Sequence, residues 1–551
     1  MSNWNFYCAK DYSLKQAGIT LLLCFFSITL WGQPPTRVHL SQSITPEKLQ
    51  YKKDSLQSFT RIAVSGIFRE IDLDLRSAEQ SSRNNSTIYR WYLSHTHVQS
   101  RVYANIESLG RRDTIYLRST DGGVLEMVHH QNLQGPKHLF KPVSEGQVIQ
   151  LVRATGSRCQ VKLYGMSLET IPPQWNPPQW KTSDFGNSKF CQVNVNCNEG
   201  IPYSDIKNSV VRIFVRLGSA LGFCTGSVIS TSNYTYEPYL LTAEHCGLLS
   251  PGTLVSSEDL DDWVFFFNYQ SPDCTNPPSE GTLDQQQVVG ASLLANSDDN
   301  GGDRGSDFLL LRLNTSIPDS YNVYYAGWNR KGDSNPQMGA TIHHPSGDIK
   351  KISTYFNPAS SGSFTSQASN THWVVNWNAT TNGHGTTEAG SSGCPLYDEN
   401  GLIRGVLTGG SASCNNLNGE DYFGKFSYSW SRNGNTPTRR LMDWLDPASN
   451  GFLAIGGSYR GDSIPAAGNE IIIVNNPVRD GVLAIKNLGT PTDDLRILIF
   501  DYSGKVVYDR KTVAIAGTDQ EVNTYSWRNG LYILLVLRNE ESISQKVLVL
   551  N

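Results

Sequence analysis

Three short strings in this chain carry side chains suited to chemistry. Tyr239-Leu-Leu-Thr-Ala-Glu-His245-Cys246 ends an apolar run on a histidine, and Ser306-Asp307-Phe-Leu-Leu-Leu sets an aspartate at the mouth of another. Gly390-Ser-Ser392-Gly-Cys-Pro395 holds a serine in a glycine-flanked turn. A serine hydroxyl is a weak nucleophile near neutral pH and needs a base within about 2.6–3.2 Å to take its proton. Histidine serves as that base when an aspartate fixes its tautomer and stabilises the imidazolium that forms. His245, Asp307 and Ser392 are therefore the candidate base, orienting acid and nucleophile of a hydrolase.

The surrounding residues must position them. Glycine at 390 and 393 permits backbone conformations closed to other residues, so the amides of Gly390 and Ser392 can converge as an oxyanion hole. Each such donor is worth roughly 10²–10³ in rate. Three other acids, Asp298, Asp299 and Asp303, precede Asp307. Asp307 is preferred because the apolar Phe308–Leu311 follows it directly and carries it inward. Cys246, beside the histidine, could bridge back to Cys224 and tie two neighbouring strands together. A loop of that length would add about 3 kcal/mol in the loop-entropy picture.

Composition narrows the function. Net charge is −4 and charged residues make up 17%, so neither a nucleic-acid partner nor an anionic membrane surface is indicated. His343 and His344 are adjacent, would point to opposite faces of a strand, and leave no metal-ligand spacing; no metal or other cofactor is expected. Lys10 and Lys15 precede the apolar run Gly18–Trp31, which Gly32-Gln33-Pro34-Pro35 breaks. That pattern is a secretory signal over residues 1–32. A membrane anchor is the alternative, but the run is shorter than the roughly 20 residues a spanning helix needs.

Short alternating runs such as Ser86–Leu93, Arg101–Ile106 and Thr114–Leu117 give residues 33–185 the pattern of a small β-sandwich. This segment ends in the proline-dense stretch Ile171–Lys181, expected to be an extended linker. A protease-sized segment, 186–456, contains the three strings and one helix signal, Thr438–Leu445. A Gly/Ser/Pro/Ala-rich linker at 457–468 leads to a second run of alternating strands over 469–551.

The segment from about Gly186 to Ile455 resembles the lysyl endopeptidase branch of the trypsin-like serine proteases. The residues that carry the resemblance include Cys224-Thr-Gly-Ser, Leu241-Thr-Ala-Glu-His-Cys-Gly247, Asn268-Tyr-Gln, Asp307-Phe and Ile342-His-His-Pro345. They continue in Thr387-Glu-Ala-Gly-Ser-Ser-Gly393, Gly409-Gly-Ser-Ala-Ser-Cys414 and Asp443-Trp-Leu-Asp-Pro447. The resemblance implies an all-β fold, a chymotrypsin-like double barrel with the site between barrels, and cleavage after a basic residue. It also implies disulfides Cys191–Cys414, Cys197–Cys274 and Cys224–Cys246; with Cys8 and Cys24 lost in the signal segment, Cys159 and Cys394 are expected as free thiols.

Trypsin itself carries a pocket aspartate six residues before the nucleophile, where this chain has Thr386. Lysyl endopeptidases take that acid from a later loop in a motif resembling Asp421-Tyr-Phe-Gly424-Lys, so Asp421 is the expected specificity residue, with Glu388 and Glu420 as rivals. The family tends to carry a histidine where Thr408 stands, so cleavage after arginine accompanies lysine as an open alternative. The residue before the nucleophile is Ser391, uncharged, so a newly released N-terminus has no acid to pair with there, and activation is expected to act by unblocking the cleft.

The C-terminal segment resembles the sorting domain of the type IX secretion system of Bacteroidetes, through Asn475-Asn-Pro477, Asp501-Tyr-Ser-Gly-Lys505, Asn529-Gly-Leu-Tyr532 and Lys546-Val-Leu-Val. By implication the protein passes through that machinery and is released or held at the cell surface. The N-terminal segment then fits a propeptide, with a permanent accessory domain as its alternative. The expected protein is a monomeric secreted serine endopeptidase acting on proteins or peptides. The alternative from another class is a catalytically silent surface-binding protein on a protease scaffold.

Overall fold

The computed structural model describes residues 37–39, 46–57, 62, 64–94, 98–143, 146–170, 185–281, 283, 285–462, 471–473, 476–479, 481–487, 492–514, 519–538 and 541–550. The signal segment at 1–32, the proline-dense stretch Ile171–Lys181 and residues 463–468 of the linker at 457–468 lie outside the described residues. The regular structure described is mostly β-sheet with a few short helices, and among these residues no helix is long and apolar enough to cross a membrane.

Two barrels form the centre. In the first, Val210–Leu217, Ala220–Val228, Tyr239–Ala243 and Phe308–Leu313 pair antiparallel in turn. Val264–Phe266 and Gln287–Val289 extend one edge, and Ala291–Asn296 extends the other. Only Gly290 separates Gln287–Val289 from Ala291–Asn296, so the two ends of the sheet are consecutive in the chain. The period-two rule of strands shows in Val211, Ile213 and Val215, which join Leu240, Leu309 and Leu311 in the barrel interior. The second barrel runs Lys351–Tyr355, Gly339–His343, Pro395–Tyr397, Ile403–Gly410, Asp421–Lys425, His372–Val375. Its ends approach where the Asn378 N–H donates to the Thr354 carbonyl (2.9 Å). Leu241, Phe308 and Leu310 of the first barrel pack with Trp328, Ile342 and Ile403 of the second, which fixes the groove between them.

The N-terminal unit is a two-sheet structure around Trp91, Val102, Ile115, Ile149 and Leu163. One of its sheets does not stop at its own border. Val64–Leu73 pairs antiparallel with Ala220–Val228 of the first barrel, in the register Ile67 to Ala220, Gly66 to Leu221 and Val64 to Gly222. Phe68, Tyr103 and Leu139 then pack on Phe214, Leu221, Phe223 and Phe266. This covering buries both faces of Val210–Leu217, and its two arginines lie over aromatic rings, Arg212 over Tyr269 (3.5 Å) and Arg216 over Phe68 (3.8 Å). The same unit contains a helix, Pro46–Gln57, unanticipated because its buried Leu49 and half-buried Leu56 stand a full two turns apart.

The helix expected over Thr438–Leu445 is instead two pieces, a 3₁₀ turn Pro437–Arg439 and a short helix Met442–Leu445. Arg440 between them is extended (φ −152°, ψ 150°), and its guanidinium reaches Asp443 (3.0 Å). The C-terminal unit is a sandwich of a three-stranded and a four-stranded sheet closed over Leu483, Ile485, Ile497, Leu534, Val536 and Val547.

Candidate active site

His245 sits in the single turn Glu244–Gly247 that follows Tyr239–Ala243, and Asp307 stands immediately before Phe308–Leu313, the strand paired with it. Register alone therefore brings the two together. Asp307 Oδ2 lies 2.7 Å from His245 Nδ1, and Oδ1 accepts the His245 backbone N–H at 2.9 Å. Both side chains are buried. An ionised Asp307 in this geometry keeps the ring proton on Nδ1 and leaves Nε2 as the acceptor a general base needs. Asp307 has φ +53°, an uncommon conformation for a residue with a side chain. The rivals are elsewhere: Asp298 pairs with Arg439 (2.9 Å), Asp303 accepts from Asn300 (2.5 Å), and Asp299 lies behind Asp307 and accepts its N–H (2.9 Å).

Ser392 is half-buried in a turn pinned to the first barrel. The Thr225 N–H donates to the Ser392 carbonyl (2.8 Å), and the Thr225 hydroxyl donates to the Gly390 carbonyl (2.9 Å) while accepting from the His344 N–H (3.1 Å). Gly390 (φ +93°) and Gly393 (φ +79°) both take left-handed conformations. A Cβ at Gly393 would fall 2.0 Å from Thr242 Oγ1, so the turn admits only glycine there. Among the described residues the amides of Gly390 and Ser392 enter no hydrogen bond within the chain, as an oxyanion hole requires. No hydrogen bond joins the Ser392 hydroxyl to His245 among the described residues; such contacts are commonly long in unliganded sites and tighten on substrate.

Two neighbours of the site carried no warning in the sequence. His343 Nδ1 lies 2.7 Å from Ser391 Oγ, and that oxygen accepts the Glu388 N–H (3.1 Å), so the residue before the nucleophile braces the turn. His372 meets Thr408 Oγ1 through Nε2 (3.0 Å), across the intervening strand Asp421–Lys425. Burial pushes both imidazoles down, to about 3 for His343 and about 4 for His372, so both are neutral. The fold brings these groups together from a strand and a turn in one case and from two strands flanking a third in the other, and no spacing along the chain announces them.

Asp421 opens the strand Asp421–Lys425 and is fully buried. Its Oδ2 accepts from Trp377 Nε1 (2.7 Å) and Thr387 Oγ1 (2.8 Å), whereas Oδ1 is buried without a hydrogen-bond partner. Burial pushes the carboxyl up to about 6, and the Trp377 and Thr387 donors limit the rise. Gly410 pairs with Asp421, and a Cβ there would fall 2.1 Å from Oδ1, so the missing side chain leaves the unpartnered oxygen its space. The rivals are otherwise engaged: Glu388 accepts from Lys189 N–H, Gln192 and Ser346, and Glu420 is exposed beside the Tyr422 hydroxyl.

Cys191–Cys414, Cys197–Cys274 and Cys224–Cys246 stand as disulfides, and Cys159 and Cys394 are buried and free. The bridge at Cys246 holds the histidine turn against the strand that contacts Ser392.

Residues 185–424 match the model of the lysyl endopeptidase C-terminal domain. This lysyl endopeptidase-like region spans both barrels through Gly424 and contains all three candidate residues. A curated relative, the lysyl endopeptidase of Pseudomonas aeruginosa, is 29% identical over 262 residues, 45% of this chain and 52% of the relative. The match thus spans about half of that relative's length. Among solved structures, a Glu endopeptidase in complex with MPD is 17% identical, covering 44% of this chain and 93% of that one, with a TM-score of 0.27. Rv3671c from M. tuberculosis, in an inactive form, is 15% identical, covering 42% and 87%, with a TM-score of 0.26. At these scores neither adds to the fold read from the strands themselves. Residues 475–550 match the model of the secretion system C-terminal sorting domain, so the chain carries an export address at that end.

Proposed function

We propose that this protein is a secreted serine endopeptidase that cleaves on the carboxyl side of lysine, with arginine as a poorer alternative. The observation that carries the specificity is the buried Asp421 with one oxygen unpartnered. A buried charge left unpaired costs several kcal/mol, and a cationic side chain entering the slot would remove that cost. A compact ammonium and a planar guanidinium demand different donor geometry, and a single open oxygen suits the ammonium.

The chemistry follows from the arrangement at His245. Ser392 Oγ attacks the scissile carbonyl as its proton passes to His245 Nε2, and the carbonyl oxygen takes the negative charge toward the Gly390 and Ser392 amides. Asp307 stabilises the imidazolium across the 2.7 Å contact. Nε2 then gives its proton to the leaving amine, the C–N bond breaks, and an acyl-enzyme on Ser392 remains. Water, deprotonated by His245 in turn, hydrolyses it.

The N-terminal unit fits the role of a propeptide, lost when the chain is cut between Lys181 and Lys189. Its strand Val64–Leu73 extends the sheet beside Phe223 and Thr225, the stretch that holds Ser392, and removing it would free that edge. Export through the type IX machinery, with release or attachment at the surface, fits the sorting domain, and protein or peptide substrates fit the cleft; the working form is proposed to be a monomer. A serine-hydrolase probe tests the chemistry. It should label the purified protein at Ser392 and fail on Ser392→Ala; absence of labelling on the wild type would favour a silent binding protein.

A further inference from the structure

Behind the His245–Asp307 pair lies a second layer of acid. Glu244, next to His245 in the chain, is buried, and its carboxylate accepts four N–H groups. Oε1 takes Asn296 Nδ2 (2.5 Å) and the Asp298 amide (2.6 Å); Oε2 takes the amides of Asp299 (3.1 Å) and Gly301 (2.9 Å). Asp299, also buried, accepts the Asp307 N–H at Oδ2 (2.9 Å) and the Gly302 N–H at Oδ1 (2.7 Å). One carboxylate oxygen from each of Glu244, Asp299 and Asp307 lies within 4.8 Å of the others.

Among the described residues no lysine or arginine pairs with any of the three. The other charged or titratable groups around this loop are Asp298, held by Arg439, Asp303, the exposed Arg304, whose backbone N–H donates to the Asp299 carbonyl (3.2 Å), and the neutral His372 across Gly302. Three carboxylates this close in a buried site cannot all ionise. Four N–H donors favour the charge on Glu244, and the imidazole favours it on Asp307. Asp299 is left to keep a proton, consistent with a carboxyl pushed up to about 8 by burial and by its two acidic neighbours.

We propose that Asp299 is a positioning residue that works as a neutral acid, donating its proton to Glu244 while accepting the Asp307 N–H, and so holds Asp307 aimed at His245. The task has a definite load. Asp307 stands at φ +53°, an uncommon conformation for a residue with a side chain. The loop leading to it, with Asp298, Asn300, Gly301 and Gly302 also at positive φ, is fastened to Glu244 and Asp299 at both ends. Asp299 touches neither substrate nor the reacting atoms, so its loss should lower kcat and leave KM in place.

The inference rests on the serine-hydrolase reading, and the experiment separates the two. Wild type, Asp299→Ala and Asp299→Asn are compared for the rate of Ser392 labelling by a fluorophosphonate and for kcat and KM on a lysyl ester. Failure of the wild type to label sinks the hydrolase reading itself. With a labelling wild type, Asp299→Ala should label at least about tenfold more slowly with unchanged KM. Asp299→Asn should recover part of that loss, because the amide oxygen still accepts the Asp307 N–H and the NH2 can donate to Glu244, although that NH2 replaces the acceptor of the Gly302 N–H. Wild-type labelling of Asp299→Ala, or an Asp299→Asn as slow as Asp299→Ala, overturns the proposal. A second measurement stands even if Asp299→Ala does not fold. The wild-type minus Asp299→Asn infrared difference near neutral pH should contain the band of a protonated buried carboxyl, with the contribution of other raised carboxyls such as Glu399 cancelling; absence of that difference band overturns the proposal.

Discussion

Asp307 and Asp421 are both buried carboxylates, yet their partners give them opposite tasks. Asp307 spends both oxygens on His245, so Asp307→Asn should cost about 10⁴ in kcat by reversing the tautomer. Ser392→Ala and His245→Ala should each abolish turnover in a protein that still unfolds cooperatively. Asp421 keeps one oxygen open, and its carboxyl, raised to about 6 by burial, takes up a proton well above the ordinary aspartate range. The kcat/KM for a lysyl ester divided by that for a small uncharged ester should therefore fall as pH drops through about 6, because protonated Asp421 no longer attracts the ammonium. The ratio cancels titration of His245, and a flat ratio would remove Asp421 from the slot. The candidate triad was legible because each member borders an apolar strand or a glycine turn. Asp299, Glu244, His343 and His372 were not, because their partners come from other strands or from the fold of a loop, and such contacts leave no periodic trace.

At the level of strands and turns, the proposed nucleophile depends on a loop that tolerates no side chain at one point. Gly393→Ala would set a Cβ 2.0 Å from Thr242 Oγ1 at φ +79°. It should destabilise the protein by more than about 1 kcal/mol in urea unfolding and slow Ser392 labelling at the same time; an active, equally stable variant would contradict this account of the turn. Strands were easy to read wherever one face is wet and hard where both are dry. Val210–Leu217 shows no regular polar face, with Arg212 buried and Arg216 half-buried among its apolar residues, because the N-terminal unit covers its outer side. The Thr438–Leu445 segment has helical spacing, but Arg440 is extended and breaks it into two short turns.

For the whole molecule, the sequence marks a boundary between the N-terminal unit and the barrels, while the structure runs one sheet across it. No pattern within either segment records which edge will meet which. Phe68 and Tyr103 on one side and Phe214 and Phe223 on the other form a shared apolar core, and Lys137 pairs with Asp262 across it (2.8 Å). Cutting the linker should therefore leave the N-terminal unit bound, and it should copurify with the protease region until it is degraded. Size-exclusion chromatography after cleavage tests this, and immediate separation of the two would contradict it. N-terminal sequencing of the secreted form should place the cut between Lys181 and Lys189; a start upstream of Trp175 would argue for a permanent accessory domain instead.

Lysyl endopeptidase chemistry is tested most directly by digesting a denatured protein with the matured enzyme and mapping the new C-termini by mass spectrometry. Lysine should stand at nearly all of them with arginine at a minority, and Asp421→Ala should lose the lysyl cuts by orders of magnitude while Ser392 stays reactive toward a small uncharged acylating agent. Cuts after glutamate or apolar residues, or normal lysyl cleavage by Asp421→Ala, would contradict the assignment.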